Sequence, residues 1–290
     1  MKEAKKMKKS VKLFYFANNN MGDELSKIIV EELFNLEVER ERPIFSDMFA
    51  IGSILGGMVF SKKSPFLGVA KTILGFFDRK PLYIWGTGFI TDQIEGPFFY
   101  RKNIRFNALR GKLSHQKVEK ILGKSIDPVY GDAGILASKL IVDKSKITKK
   151  YKWGIIPHYV DKEHLAVKNL EKNLEKSFVI DVMLPPKEVI QQIAECDYIL
   201  SSSMHGLIIA DSFNIPNHHI LISDKVIGDN FKFKDYYSAF GLEHSFTNVA
   251  KDDHVIFSDE FMKEKYKITE KMVEKMKKDM EDAFPQQLIL

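Results

Sequence analysis

Residues 197–216 read Asp-Tyr-Ile-Leu-Ser-Ser-Ser-Met-His-Gly-Leu-Ile-Ile-Ala-Asp-Ser-Phe-Asn-Ile-Pro. The alternation of a predicted strand and a predicted helix in this stretch recurs along the rest of the chain. The apolar run at 198–200 predicts a short buried strand, and the segment from about 204 to 213 predicts a helix. Pro216 ends that helix and turns the chain into the next apolar run, at 218–223. A strand, a small-residue turn and a helix therefore form the predicted unit.

The turn of this unit is the first candidate site. Serine hydroxyls can accept hydrogen bonds from the free N–H groups of a helix, and the same end of a helix attracts anions. Open α/β sheets bind ligands at the carboxyl ends of their strands, where this turn would lie. A titratable imidazole would then stand beside an anion pocket. The residues that form this predicted pocket are Ser201, Ser202, Ser203, His205 and Gly206.

Strand–helix alternation continues on both sides of the central unit. It predicts an α/β fold with two Rossmann-like domains built on parallel sheets. We expect a disordered basic arm over 1–10, an N-terminal domain over 11–147, and a C-terminal domain over 148–290, because residues 143–152 are polar and highly charged. The Lys- and Met-rich segment 261–284 predicts an amphipathic helix that packs back across the domains.

Composition narrows the class of protein. The chain has 290 residues, 44% of them hydrophobic, with a net charge of +5, which is ordinary for a soluble globular protein and compatible with an anionic substrate. The one cysteine, Cys196, excludes an internal disulfide and a thiolate metal cluster, and we interpret it as a small buried hydrophobe. No secretory signal or membrane span is evident, so the expected location is the cytoplasm.

Further candidates follow other predicted strands. Gly22 permits a tight turn, and Asp23 either caps a helix or contacts substrate. Arg110 follows a strand, where its planar guanidinium suits a carboxylate or phosphate, although a surface arginine is the simpler alternative. His158 follows a strand that ends at Pro157.

Two lysines form the last candidate. Lys232 and Lys234 flank Phe233 and would point the same way in an extended segment, as anion ligands or as a solvated charged face.

Residues 65–77 are apolar and rich in glycine, and they predict an amphipathic helix. Packing in the core is the favoured interpretation, and contact with a membrane face is the alternative.

The segment 201–217 resembles the signature of the polysaccharide pyruvyl transferase family, most closely the exopolysaccharide ketal-pyruvate transferases of the xanthan and succinoglycan type. Further blocks lie in the family's order over about residues 11–240. They are the Asn-rich loop with Gly22-Asp23, Arg110-Gly-x-x-Ser114 with a downstream Gly131-Asp132, Pro157-His158-x-x-Asp161, and Lys232-Phe-x-Asp-Tyr236.

The resemblance implies transfer of pyruvate from phosphoenolpyruvate to two hydroxyls of one sugar as a cyclic ketal. It also implies two domains arranged as in GT-B glycosyltransferases, with the active site between them. His205 would be the general acid, with a pKa near neutral, and Asp23 the base for the sugar hydroxyl. The implied substrate ligands are Asn20, Gly22, Arg110, His158, Ser201, Ser202, Ser203, Gly206, Lys232 and Lys234.

Neither a metal nor a cofactor is required by this scheme. Many members of the family have Arg where this chain has Ser203, although the exopolysaccharide subgroup commonly has Ser. The expected acceptor is a polysaccharide or a lipid-linked oligosaccharide precursor, with peripheral contact at the inner face of the cell membrane.

Two alternatives stay open. A GT-B-type glycosyltransferase with a nucleotide sugar would use the same architecture. A non-catalytic protein that binds nucleic acid or anionic lipid is permitted by the basic charge, but the lysines are interleaved with acids and no recognition helix stands out.

Overall fold

The computed structural model describes residues 8–16, 21–60, 65–77, 79–93, 96–225, 230–251 and 255–290. These residues form two parallel sheets with helices, consistent with the two Rossmann-like domains predicted above. The predicted arm 1–10 lies mostly outside the described residues, and Ser10 already belongs to the first strand.

The first sheet has six strands in the order β2-β1-β3-β4-β5-β6, all parallel. Its strands are β1 (Ser10–Phe14), β2 (Glu37–Arg40), β3 (Met48–Phe49), β4 (Leu82–Trp85), β5 (Ile104–Leu109) and β6 (Val129–Tyr130). Its helices are α1 (Met21–Leu33), α2 (Pro65–Phe77) and α3 (Lys112–Leu122). A 3-10 segment, Ala133–Leu140, follows β6.

The second sheet has five parallel strands in the order β11-β10-β9-β7-β8. Its strands are β7 (Tyr151–Ile156), β8 (Ser177–Val179), β9 (Cys196–Ser201), β10 (Asn217–Leu221) and β11 (Phe246–Asn248). Its helices are α4 (Leu165–Asn173), α5 (Pro186–Ala194), α6 (Met204–Ser212), α7 (Phe231–Ala239), α8 (Asp259–Lys265) and α9 (Glu270–Asp282).

Both sheets follow the same topological rule. In each, the first strand in sequence pairs with both the second and the third, so that the direction of the connections reverses between β1 and β3, and again between β7 and β9. Ligands of open α/β sheets bind outside the carboxyl ends of the strands at such a switch point. The fold therefore predicts a ligand site at the carboxyl ends of β1 and β3 in the first domain, and of β7 and β9 in the second.

The two halves share one apolar core. Helices α1 and α6 both pack on the segment Ala133–Leu140, and side chains such as Leu25, Ile135 and Ile208 are fully buried there. Helix α9 returns to the first domain, as predicted, because it packs on β6 and on the same 3-10 segment. The Trp85 indole N–H donates a 2.8 Å hydrogen bond to the Met280 carbonyl and so holds α9 against the first domain.

Several local expectations are wrong. Asp23 is not a helix cap, because α1 begins at Met21 and Asp23 lies inside its first turn. Lys232 and Lys234 lie on a helix rather than in an extended segment. The predicted helix 261–284 is two helices, α8 and α9, since residues 266–269 are not helical. Strand β2 and helix α4 had not been predicted.

Cys196 is fully buried, as expected, and burial raises the pKa of its thiol to about 12. Among the described helices, none combines the length and apolar character needed to cross a membrane.

Candidate active site

A cavity of about 180 Å³ lies where the carboxyl ends of the two sheets approach each other. Its described lining residues come from both halves of the chain: Phe16, Gly22, Gly52, Ser53, Ile54, Ile90, His158, Tyr159, Ser203, Met204, His205 and Lys232.

The topology explains why these residues meet. Phe16 follows β1 and Ser53 follows β3, the two strands at the switch point of the first sheet. His158 follows β7 and Ser203 follows β9, the corresponding strands of the second sheet. The cavity therefore lies at both switch points, where the fold predicts a ligand.

His205 lies in the first turn of α6, directly against Gly22 of α1. A Cβ atom on Gly22 would stand 2.1 Å from the imidazole Nδ1 of His205, so only glycine leaves room for the ring. Its Nε2 is buried and makes no hydrogen bond within the part of the chain that the structure describes. Burial, reinforced by the nearby positive charge of Lys232, lowers the pKa of His205 to about 3. The protein surroundings of His205 therefore favour the neutral imidazole, in contrast to the expected near-neutral pKa.

His158 faces the same cavity from the end of β7. Its backbone N–H donates a 2.8 Å hydrogen bond to the hydroxyl of Ser202, which ties the two strand ends together. Its buried Nδ1 has no hydrogen-bond partner among the described residues. Burial and the charge of Lys232 lower the pKa of His158 to about 4. Two neutral imidazoles thus line the cavity.

Lys232 supplies the positive charge. It lies in the first turn of α7, and burial, followed by repulsion from Arg110, lowers its pKa to about 8. Lys234 is exposed and is absent from the described lining, because residues two apart point to different sides of a helix. The structure therefore brings only the first of the two predicted lysines to the cavity.

Arg110 is fully buried behind the cavity and does not appear among its described lining residues. Its Nε donates to the carboxylate of Asp235 at 2.9 Å, and its Nη1 donates to the hydroxyl of Ser53 at 2.6 Å. Asp235 also accepts from the hydroxyl of Ser114 at 2.6 Å. Arg110 joins helix α7 to the first domain instead of presenting its guanidinium to the cavity.

The three serines of the turn between β9 and α6 have two different roles: two are buried and stabilise the backbone, and one lines the cavity. The Ser201 hydroxyl is buried, lies 2.8 Å from the Ser203 carbonyl and accepts the Ser203 backbone N–H at 3.0 Å, so it stabilises the turn. Ser202 is equally buried and accepts from His158 as described. Ser203 occupies the predicted N-cap position and lines the cavity, but its side chain makes no capping bond.

Gly206 permits close packing. A Cβ there would stand 2.5 Å from the hydroxyl of Ser201, so α6 sits too near β9 for any other residue. Gly206 is absent from the described lining, and its observed role is to bring the start of α6 to the sheet.

The remaining predicted residues follow β1, and two of them, Gly22 and Asp23, lie in the first turn of α1. Gly22 lines the cavity, Asn20 lies outside the described residues, and the backbone of Asp23 is in α1 while its side chain is not described. Assignment of Asp23 and Asn20 stays a prediction.

Sequence reasoning missed Ser53 and Tyr159 in the lining and Asp235 behind it. Ser53 had a detectable signal, since it lies in a turn directly after a buried strand of the switch point. For Asp235, the sequence feature that could have pointed to the site is its place in the Lys232-Phe-x-Asp-Tyr236 block.

The arrangement suits a small anion. One lysine, two imidazoles and the N-terminal turn of α6 converge on the cavity, and an anion would raise the pKa of each imidazole toward protonation. Within the described residues, no group of three or more His, Cys, Asp or Glu side chains could hold a metal ion.

The chain is similar to known proteins. The chain is 27% identical over 243 residues to the uncharacterized protein L143 of Acanthamoeba polyphaga mimivirus, covering 81% of this chain and 76% of that protein. It is 25% identical over 142 residues to the succinoglycan biosynthesis protein ExoV of Rhizobium meliloti (strain 1021), covering 47% of this chain and 41% of that protein.

The family model of polysaccharide pyruvyl transferase matches residues 7–224, a span that includes both switch points and the segment 201–217. The chain belongs to the polysaccharide pyruvyl transferase family and is a pyruvyl transferase enzyme.

Proposed function

We propose that this enzyme transfers pyruvate from phosphoenolpyruvate to two hydroxyls of one sugar in a polysaccharide, or in its lipid-linked oligosaccharide precursor, and forms a cyclic ketal. The observation that carries the proposal is the convergence of His158, His205 and Lys232 on one cavity of about 180 Å³. Phosphoenolpyruvate carries a phosphate and a carboxylate on three carbons, so it needs a small site rich in cationic groups.

The proposed reaction adds the first sugar hydroxyl across the double bond. A proton is added to the methylene carbon, and the hydroxyl oxygen bonds to the carbon that carries phosphate. The second hydroxyl then bonds to the same carbon, the carbon–oxygen bond to phosphate breaks, and inorganic phosphate leaves with the second hydroxyl proton. No electron donor or acceptor is needed.

His205 is the proposed acid that protonates the methylene carbon. It is neutral in the ligand-free site because burial lowers its pKa to about 3. The negative charges of the bound donor stabilise the imidazolium, so the acid would form only when substrate is present. Asp23 stays the proposed base for the sugar hydroxyl.

Lys232 and the N-terminal turn of α6 are the proposed phosphate ligands, with His158 as a further ligand of the donor. Arg110 would act through Asp235 and Ser53, because its guanidinium is engaged by them. The scheme requires neither a metal nor a cofactor.

The decisive experiment is phosphate release from phosphoenolpyruvate with a panel of synthetic and lipid-linked galactosides, glucosides and mannosides. We expect release that depends on the sugar and falls by at least about 100-fold in His205→Ala, within the range for loss of a general acid. Lys234→Ala is the matched control, because that exposed lysine leaves the site unchanged.

Three results would change the proposal. Sugar-dependent release that survives His205→Ala would keep the reaction and remove His205 as the acid. Release in the absence of sugar would indicate hydrolysis. Turnover of a nucleotide sugar, without any release from phosphoenolpyruvate, would establish the glycosyltransferase alternative.

A further inference from the structure

Among the described side chains of helix α2, the large apolar ones lie on the outside of the molecule. Val69, Ile73 and Phe77 recur at four-residue spacing and so share one helix face. They are 53%, 54% and 76% exposed, and the adjacent Leu74 is 49% exposed. The predicted packing of this segment in the core is therefore wrong for these side chains.

The inner side of α2 is lined by glycine instead. A Cβ on Gly75 would stand 2.4 Å from the Tyr100 carbonyl oxygen, and one on Gly68 would stand 2.7 Å from the Phe60 ring. The helix thus makes two of its close contacts with the domain through glycine. Its orientation exposes the residues that a water-facing helix would normally bury.

Cavities remain on both flanks of the helix. One of about 510 Å³ lies beside Thr72, and another of about 230 Å³ lies beside Leu74. Among the described apolar side chains of α2, Leu74 lines the smaller cavity, whereas Val69, Ile73 and Phe77 line neither. Core packing therefore does not account for these three side chains.

The charges around α2 are positive. The charged residues that line the two cavities within the described chain are all basic: Arg42, Lys71, Lys102 and Lys124 are at least partly exposed, whereas Arg101 is buried. The segment 61–80 contains five basic residues and one acidic residue, Asp78. An apolar ridge with a basic surround is complementary to an anionic lipid surface.

We propose that α2 is a membrane-docking helix that lies in the interface of an anionic bilayer with Val69 and Ile73 in the acyl region. A helix of 13 residues is about 20 Å long, which is shorter than a bilayer core and fits an orientation in the membrane plane. A second copy of this chain is the less favourable occupant, because two basic faces would repel each other.

The test is flotation of the full-length protein with vesicles of phosphatidylcholine alone or mixed with phosphatidylglycerol. We expect the wild type to float with the anionic vesicles, and Val69→Gln/Ile73→Gln to partition at least about tenfold more weakly. The matched control is Val142→Gln/Leu165→Gln, which removes two exposed apolar side chains outside α2 and should float like the wild type.

Glutamine is a better helix former than valine or isoleucine, so loss of flotation would not reflect loss of the helix, and circular dichroism checks this directly. Equal flotation of the α2 variant and the wild type would overturn the proposal and assign binding to the basic arm. Absence of wild-type flotation would also overturn it. A dimer in sedimentation that the α2 variant dissociates, without vesicle binding, would assign the face to a second copy. None of these measurements uses phosphoenolpyruvate or sugar, so failure here leaves the proposed reaction untouched.

Discussion

At the scale of single residues, the site depends on the contact between Gly22 and His205. The imidazole occupies the space that a side chain on α1 would otherwise take, since a Cβ on Gly22 would lie 2.1 Å from Nδ1. Helix α1 belongs to the first domain and α6 to the second. The position of the proposed acid is thus set by backbone from the opposite half of the chain.

Gly22→Ala should therefore displace the imidazole and lower kcat for sugar-dependent phosphate release by about 100-fold, the effect of a misplacement near 1 Å. Gly57→Ala is the control, because an added Cβ there meets no atom within 4 Å. Comparable kcat values in the two variants would show that the location of His205 does not limit the reaction.

Lys232 should make donor binding sensitive to alkaline pH. Its pKa is lowered to about 8, so the free site loses its positive charge as pH rises through that value. We expect the Kd for phosphoenolpyruvate, measured by calorimetry, to increase more steeply with pH above pH 8 than below it, because Lys232 loses its charge there. Lys232→Met should weaken binding by at least about tenfold and abolish the additional increase above pH 8.

Lys232→Arg supplies the discriminating control, because arginine stays charged and should keep binding constant to higher pH. Lys234→Ala should retain the wild-type profile. If the arginine variant weakened at the same pH as the wild type, another group would be responsible for the alkaline limit.

The location of a residue could be predicted where its position along a strand decides that location. His158, Ser203 and His205 lie at the cavity because each follows a strand of the switch point. Arg110 and Ser201 satisfy the same rule but are engaged internally by groups that the sequence does not reveal, such as an aspartate 125 residues away. Local sequence spacing predicts where the backbone places a side chain. It does not predict which residues form hydrogen bonds with the polar atoms of that side chain.

At the scale of elements, helix α7 shows why an alternating pattern can mislead. Phe231-Lys-Phe-Lys alternates apolar and charged residues as a strand does, yet the segment is helical. Asp235 stabilises this helix by accepting from Arg110 and from both the backbone N–H and the hydroxyl of Ser114. One helical turn separates Asp235 from Lys232, so the same anchor orients the lysine.

Asp235→Asn should lower the free energy of unfolding by about 3–5 kcal/mol, because it leaves the Arg110 charge buried without its counter-ion. Urea unfolding followed by circular dichroism measures this. Asp224→Asn, at an exposed carboxylate, should cost less than about 0.5 kcal/mol. Equal midpoints for the two variants would mean that the buried ion pair contributes nothing to stability.

At the scale of the whole molecule, strand–helix alternation was sufficient to predict two parallel sheets, because each crossover between parallel strands requires a helix or a long loop. It could not predict strand order, which depends on which strands pair across the sheet. For α2 the sequence favoured packing in the core and gave a membrane face only as the alternative. The reason is related: an apolar helix has the same sequence whether its partner is the core or something outside the molecule.

The return of α9 makes the two halves one structural unit, and this gives the last prediction. Phe284 is buried, stacks on Phe34 with ring centroids 3.6 Å apart, and meets the edge of Trp85 at 5.0 Å. Phe284→Ala should therefore cost about 3–5 kcal/mol, although residue 284 lies near the chain terminus and its partners lie in the first domain.

The reporter for this test is Trp85 fluorescence in a Trp153→Phe background, which follows unfolding of the first domain alone, since the chain has two tryptophans. We expect the Phe284→Ala midpoint for Trp85 to coincide with the midpoint of far-ultraviolet circular dichroism, which follows both domains. Ile289→Ala, at a partly exposed side chain five residues further on, should leave both midpoints in place. Separate midpoints would instead show that α9 stabilises only the first domain and that each half unfolds independently.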